Sequence, residues 1–232
     1  TVPSVATRSA SEPLPKIELV SQAELFDCDA LLFTASRGVP PVGTEQTDVR
    51  MVQYRANRAM LEAYALQARQ SGFTGLFAQI SDPVDQLSRA VFRMSNQNTS
   101  GAFDGRGLLP EQVCGFGLGV MHARALYCAE RTGIDLENVC AFGPHGSGLV
   151  IANAPGEAYD DDVSKSLTEQ TVTANLAIRA LGYKPYLAPG LSSAAISVLR
   201  ALRGRWYDAA VPADRVYFGC RTCWTENGPE RL

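Results

Sequence analysis

Apolar residues in this chain follow two different periods. Short apolar runs, Ala30-Leu-Leu-Phe33 without a break and Leu76-Phe-Ala-Gln-Ile80 broken only by Gln79, alternate with long stretches in which apolar side chains return every three or four positions. The runs predict buried strands of a parallel sheet, and the stretches predict helices with one apolar face. Ala30 to Phe33, between Asp27 and Asp29 on one side and Ser36-Arg-Gly38 on the other, predicts a central strand covered on both faces. Met51, Ala59, Met60, Ala63, Tyr64 and Ala68 predict a helix over about 48–71 that Gly72 stops. Pro83 opens a second helix that runs to about Met94. Strand, helix, strand, helix is the βαβ rhythm of an α/β fold.

The rest of the chain is less regular. Lys16 to Val20 predicts a short strand and Gln22 to Leu25 a helical turn, with a Gly/Pro-rich loop at 37–47. Residues 95–110 form a polar, glycine-rich connection too long for a simple turn. Strands are expected at Val113–Phe116, Asn138–Phe142 and Arg215–Cys220. Helices are expected at Gly119–Arg131, from Asp160-Asp-Asp162 to Ala180, and over about 192–202. The acids at 160–162 suit the positive end of a helix dipole and read as a solvated cap. Residues 1–15, rich in Ser, Thr, Ala and Pro, form a flexible lead-in.

Composition narrows the function classes. At 232 residues and 46% hydrophobic the chain can bury a core, which excludes disorder for most of its length. Lys+Arg number 21 against 24 Asp+Glu, a near balance that argues against nucleic acid or an anionic membrane surface as the main partner. No apolar run approaches the ~20 residues that span a bilayer. The first residues lack the apolar block of a secretory signal. Six scattered cysteines are too few for a disulfide framework, so a reducing, cytoplasmic setting is expected.

The residues with chemistry are few. His145 lies in a glycine-rich loop, Gly143-Pro-His-Gly-Ser-Gly148, directly after a strand, where a side chain can reach a ligand. The other histidine, His122, falls mid-helix and reads as a core or surface residue. Arg37, Arg50 and Arg124 stand at element ends or in loops. Two guanidinium forks converging on one pocket would suit a small anion, and otherwise these residues make surface ion pairs. Asp82-Pro-Val-Asp85 follows a strand at the carboxyl edge, where open α/β sheets bind ligands. Cys220-x-x-Cys223 has no second pair or nearby histidine to complete a zinc site. Motifs of phosphoryl transfer, serine esterases and zinc proteases are absent.

In order along the chain, these pieces resemble the NAD-dependent L-lactate/malate dehydrogenase family. Asp29-Ala-Leu-Leu-Phe-Thr-Ala-Ser36 is similar to the family's buried strand ending in Thr-Ala-Gly. Arg50 and Asn57 fall where the family has its mobile-loop arginine and a helix asparagine. Ile80-Ser-Asp-Pro-Val-Asp85 resembles a strand end carrying Asn-Pro-Val-Asp. Gly115-Phe-Gly117 with Ala123-Arg124 resembles Gly-Ser-Gly…Asp-Ser-Ala-Arg. Phe142-Gly-Pro-His-Gly-Ser147 resembles the loop of the family's catalytic histidine. Leu181-Gly-Tyr183 through Gly190-Leu-Ser-Ser-Ala194, and Val216-Tyr-Phe to Asn227-Gly228, are similar to its later segments.

The resemblance implies a partial doubly wound, Rossmann-type parallel sheet (about 15–118) followed by an α+β substrate/catalytic half (119–232). It implies hydride transfer between NAD and a small 2-hydroxy or 2-keto acid. His145 would be the general acid/base, Arg124 the clamp on the substrate carboxylate, and Arg50 a loop residue closing over the carbonyl. Thr34, Ala35, Ser36, Ser81 and Asp82 would line the cofactor.

Four departures accompany these matches. The strand–Gly-x-Gly-x-x-Gly–helix unit that takes the cofactor pyrophosphate is absent from these residues, as is a long C-terminal helix. The aspartate expected three residues before the arginine is Met121, and the asparagine of Asn-Pro-Val-Asp is Asp82. Two explanations are open: part of a longer dehydrogenase, or a reduced homologue that serves as a carboxylate-binding or structural subunit. In either case an uncovered sheet edge would be expected to associate with a second copy or a partner subunit.

Overall fold

The computed structural model describes residues 18–37, 49–181, 193–226 and 228–232. The lead-in, nearly all of the 37–47 loop and most of the Leu181–Ala194 junction lie outside the described residues. After a 3-10 turn at Gln22–Glu24, strand β1 (Ala30–Phe33) leads to helix α1 (Val49–Gln70), strand β2 (Leu76–Gln79) and helix α2 (Val84–Ser95), the βαβ rhythm read from the periodicity. Strand β3 (Val113–Gly115) completes a parallel trio with β1 and β2. One face of the trio packs on the two helices through Phe33, Leu61, Phe73, Phe77, Leu87 and Val91. Burial of each such side chain contributes about 1.5–3 kcal/mol.

Helix α3 (Leu118–Thr132) follows and ends at Gly133, whose φ of 73° supplies the left-handed C-cap. Strands β4 (Cys140–Phe142) and β5 (Val150–Ala152) form a small antiparallel pair, and helix α4 (Asp161–Ala180) packs against β5 and α3. Asp160 acts as the cap foreseen for the acidic run, its Oδ1 accepting from the Val163 N–H at 2.9 Å. Helix α5 (Ala194–Leu202) precedes the strands β6 (Tyr207–Ala213), β7 (Val216–Thr225) and β8 (Gly228–Arg231). These three form a meander joined to the parallel trio by antiparallel pairing of Gly115 with Ala210, which gives one six-stranded sheet in the order β1-β2-β3-β6-β7-β8.

Three expectations need correction. Strand β1 is not central: among the described residues only β2 pairs with it, Leu31 and Phe33 are buried, and Leu32 is 46% exposed. An unbroken apolar run does not by itself fix how many faces are covered. Glu18 to Val20, the described part of the strand expected at 16–20, is not in a strand, and Leu19 and Val20 are exposed. Strand β6 was invisible in the sequence because Asp208, Ala209, Ala210 and Pro212 have low strand propensity. It forms because β3 and β7 pair on either side and because Tyr207 stacks on Phe116 at 5.9 Å.

The connection at 96–109 is held from both ends. Arg69 grips Asp104 in a two-pronged contact at 2.7 Å, which holds the Asp104 carboxyl down at about 2. Asn96, 1% exposed, donates to the carbonyls of Phe92 and Leu108 and accepts from the Gly107 N–H, all within 2.9 Å. We expect Asn96→Ala to cost about 2–3 kcal/mol, because buried backbone groups lose their partners. The check is a lowered urea midpoint at unchanged slope. An unmoved midpoint would mean that the connection is not integral to the fold.

Candidate functional site

Because β1, β2 and β3 are parallel, their carboxyl ends share one edge, and the following residues gather there: Thr34–Arg37, Ser81–Asp82 and Phe116–Gly117. Asn57 on α1, wholly buried, joins two of these ends. Its Nδ2 donates to the Asp82 carbonyl at 2.8 Å, and its Oδ1 accepts from the Arg37 N–H at 2.8 Å. Ser81 adds a second tie, its hydroxyl donating to the Ala35 carbonyl at 2.6 Å.

His145 is brought to this edge from the other half of the chain. Its loop leaves β4 at Gly143, whose N–H donates to the Gly219 carbonyl of β7 at 2.8 Å. The His145 N–H donates to Asp85 Oδ2 at 2.9 Å in the first turn of α2, and its carbonyl accepts from the Arg50 guanidinium. Both backbone groups of the histidine are thereby committed. Arg50 stands in the first turn of α1 and packs on Gly146, so the structure places it on a helix end and not on a loop. Gly117 lies against the imidazole: a Cβ there would collide with His145 Nδ1 and come within 2.9 Å of Val84. Only glycine permits this approach.

Two carboxylates and two guanidinium groups act electrostatically on the ring. Nδ1 is buried without a hydrogen-bond partner, and Asp82 Oδ1 lies 3.5 Å from it. Burial lowers the proton affinity of His145. Asp82 and, more weakly, Asp85 oppose that effect, while Arg50 and Arg124 add to it. Burial likewise lowers the proton affinity of Arg124 on α3, with Asp82 acting the other way. The Asp85 carboxyl is pushed up by burial, against the opposing His145 N–H and Arg50 charge. A carboxylate entering between Arg124 and Arg50 would meet two cations and a histidine able to hold or release a proton.

Of the residues singled out in the sequence, His145, Arg124, Arg50 and Asp82 come together. Thr34, Ala35 and Ser36 are exposed just beyond β1, whereas Ser81 is 6% exposed and its hydroxyl is turned toward backbone. Asn57 and Asp85, seen in the sequence only as parts of motifs, are the residues that hold the site in place. Their signal was position, one facing two strand ends and the other three residues beyond Asp82.

His122 is a core residue. Its Nε2 lies 2.9 Å from the Val139 carbonyl oxygen and its Nδ1 3.0 Å from Asp208 Oδ2, so both ring nitrogens face acceptors inside the fold. Cys220 and Cys223 are three apart on β7, so their side chains leave opposite faces of the strand. All six cysteines are free thiols, and the described residues hold no group of three or more His, Cys, Asp or Glu placed for a metal ion. A cavity of about 550 Å³ opens beside the histidine loop, between Gly146–Val150 and α4. There the Lys165 ammonium is paired with Asp161 at 2.6 Å.

No protein-family model matches the chain. Among curated proteins it is similar to the L-lactate dehydrogenase of Streptococcus sanguinis (strain SK36), 30% identical over 134 residues, 56% of this chain and 36% of that protein. It is also similar to that of Mesomycoplasma hyopneumoniae (strain 232), 28% identical over 148 residues, 62% of this chain and 42% of the relative. The match thus spans about two fifths of the relatives' length. The fold is that of solved dehydrogenases. The malate dehydrogenase from Aeropyrum pernix superposes with a TM-score of 0.68 at 17% identity, over 91% of this chain and 70% of that one. A lactate dehydrogenase from a deep-sea metagenome library gives 0.65 at 19%, over 90% and 69%. The malate dehydrogenase from Archaeoglobus fulgidus in complex with NADH gives 0.68 at 14%, over 90% and 69%.

Gly117→Ala tests the packing of this cluster. We expect a loss of about 1–3 kcal/mol from overpacking, and displaced His145 ring resonances in NMR spectra. Unmoved ring resonances would show that Gly117 does not set the ring position.

Proposed function

Since the chain is related in sequence to the L-lactate dehydrogenases and in fold to the lactate and malate dehydrogenases, we propose that it works as a dehydrogenase-like oxidoreductase site for a small 2-hydroxy or 2-keto acid. The observation that carries this reading is the cluster of His145, Arg124 and Arg50 at the carboxyl edge of the parallel strands. Arg124 offers a planar fork to the substrate carboxylate. Arg50, whose guanidinium is already at the histidine loop, places positive charge where a carbonyl oxygen gains negative charge. His145 takes the proton of the hydroxyl, or returns it to the carbonyl oxygen, through the ring nitrogen that faces away from Asp82.

NAD is the cofactor the relatives imply, and when bound it supplies hydride exchange at the substrate carbon. The exposed Thr34–Ser36 at the end of β1 and the half-exposed Asp82 at the end of β2 fit its nicotinamide–ribose end. Ser81 would support that surface from beneath. A second reading, a carboxylate-binding homologue without turnover, is favoured by Met121. It stands where the resemblance expects a carboxylate and is 3% exposed in an apolar cluster with Leu118 and Leu149.

Calorimetric titration with NADH, and then with oxamate as a keto-acid mimic, separates these readings. We expect NADH to bind and to strengthen oxamate binding. Arg124→Lys should weaken oxamate at least tenfold, because the bidentate fork is lost. Oxamate binding without NADH would favour the second reading, and silence to both would overturn the carboxylate site. Among the described residues β1 pairs only with β2 and leaves Leu32 half out, which supports association with a second copy or a partner chain. Light scattering at micromolar concentration is expected to give a mass above the 25.0 kDa of one chain. A monodisperse monomer would overturn self-association.

A further inference from the structure

Two of the sequence departures meet at one atom. Met121 is buried in the apolar cluster of α3, with its sulfur 3.8 Å from Arg124 Nη1, so the α3 position offers His145 no charge partner. Asp82 brings a carboxylate oxygen to within 3.5 Å of His145 Nδ1. Among the described residues it is the only carboxylate within ion-pairing distance of that ring. We propose that Asp82 is the positioning residue of His145, a carboxylate supplied from the end of β2 that fixes which ring nitrogen holds the proton. The proposal deepens the dehydrogenase reading and rests on it for the catalytic meaning of His145, but the pairing itself does not.

Three observations support the pairing. Nδ1 is a buried polar atom without a hydrogen-bond partner, with Gly117 packed so close that not even a methyl group fits between, so water cannot serve it from that side. Asp82 is fixed from behind: its carbonyl accepts from the buried Asn57 amide, and Ser81 beside it is tied to Ala35. The remaining charged groups facing the ring are otherwise engaged. Asp85 spends Oδ2 on the His145 N–H, Arg50 donates to the His145 carbonyl, and Arg124 can only repel an imidazolium.

The chemistry follows from proton placement. In the neutral ring, a carboxylate opposite Nδ1 favours the tautomer with its proton on Nδ1, which leaves the Nε2 lone pair free to accept a substrate proton. Once Nε2 is protonated, the adjacent negative charge stabilises the imidazolium against burial and both arginines. At 3.5 Å the contact is an ion-pair distance and not yet a hydrogen bond, and it should shorten when the ring is charged. Asp82 also faces Arg124, so the same carboxylate offsets part of the positive charge that awaits the substrate.

The test is a 15N NMR titration of the full chain, labelled at its two histidines and free of ligand. The wild-type neutral His145 is expected to carry its proton on Nδ1. A predominant Nε2–H form would overturn the proposal without any variant. Asp82→Asn, a near-isosteric change at a side chain 46% exposed, should lower the proton affinity of His145 at least tenfold and reduce the Nδ1–H population. Asp82→Glu should recover part of both. An unchanged midpoint and tautomer in Asp82→Asn would overturn the pairing. Because no cofactor or substrate is present, these readouts are independent of whether NADH and oxamate bind. Failure of the dehydrogenase reading and failure of the Asp82 assignment therefore remain distinguishable.

Discussion

The site depends on a buried amide that holds two strand ends together. Parallel strands deliver their following loops to one edge but do not fix them there, since those loops leave the sheet's hydrogen-bond ladder. Asn57, with no exposed surface, supplies what the ladder does not: its amide N–H to the Asp82 carbonyl and its carbonyl oxygen to the Arg37 N–H. An amide is suited to this task because it donates and accepts at once while adding no charge to an interior that already holds Asp85. Everything assembled at the edge, from the carboxylate of Asp82 to the exposed Thr34–Ser36, is referenced to that contact.

On this platform the second half of the chain sets His145, where opposing forces act on the ring and burial prevails. Burial and two guanidinium groups disfavour a charged ring, and two carboxylates favour it. Such a setting differs from that of an ordinary surface ion pair, in which water screens each charge. It leaves the ring responsive to a single added charge such as an incoming carboxylate. Asp82 brings a negative charge to within 3.5 Å of Nδ1, where the buried Met121 side chain brings none.

The two halves are joined covalently by the chain and structurally by one continuous sheet. Strand β6 pairs with β3, and the turn after β4 is pinned to β7 by the Gly143 N–H, so the histidine loop is fixed to the same sheet that presents Asp82. Small residues make these approaches possible. Gly117 admits the imidazole, and a Cβ on Gly219 would collide with the Gly143 carbonyl. A shift between the meander and the parallel trio would therefore move His145 relative to Asp82.

The sequence by itself determined the parallel trio and its two helices, because apolar runs and three-to-four spacing are local signals that burial reads directly. It also placed His145, Arg124, Arg50 and Asp82 among the candidate residues by type, although Arg124 sits in the body of α3 and not at the element end expected for it. It could not show that β1 ends the strand order of the described residues, since the number of covered faces depends on what else is brought alongside. Nor could it show β6, whose Ala and Pro residues become a strand only when β3 and β7 pair with it. Least legible was the contact between His145 and Asp82, residues 63 positions apart by their numbers, whose meeting was decided only by the tertiary structure. Electrostatic pairing depends on distance in space, and a linear pattern carries that distance only within an element, not between the end of β2 and a loop that follows β4.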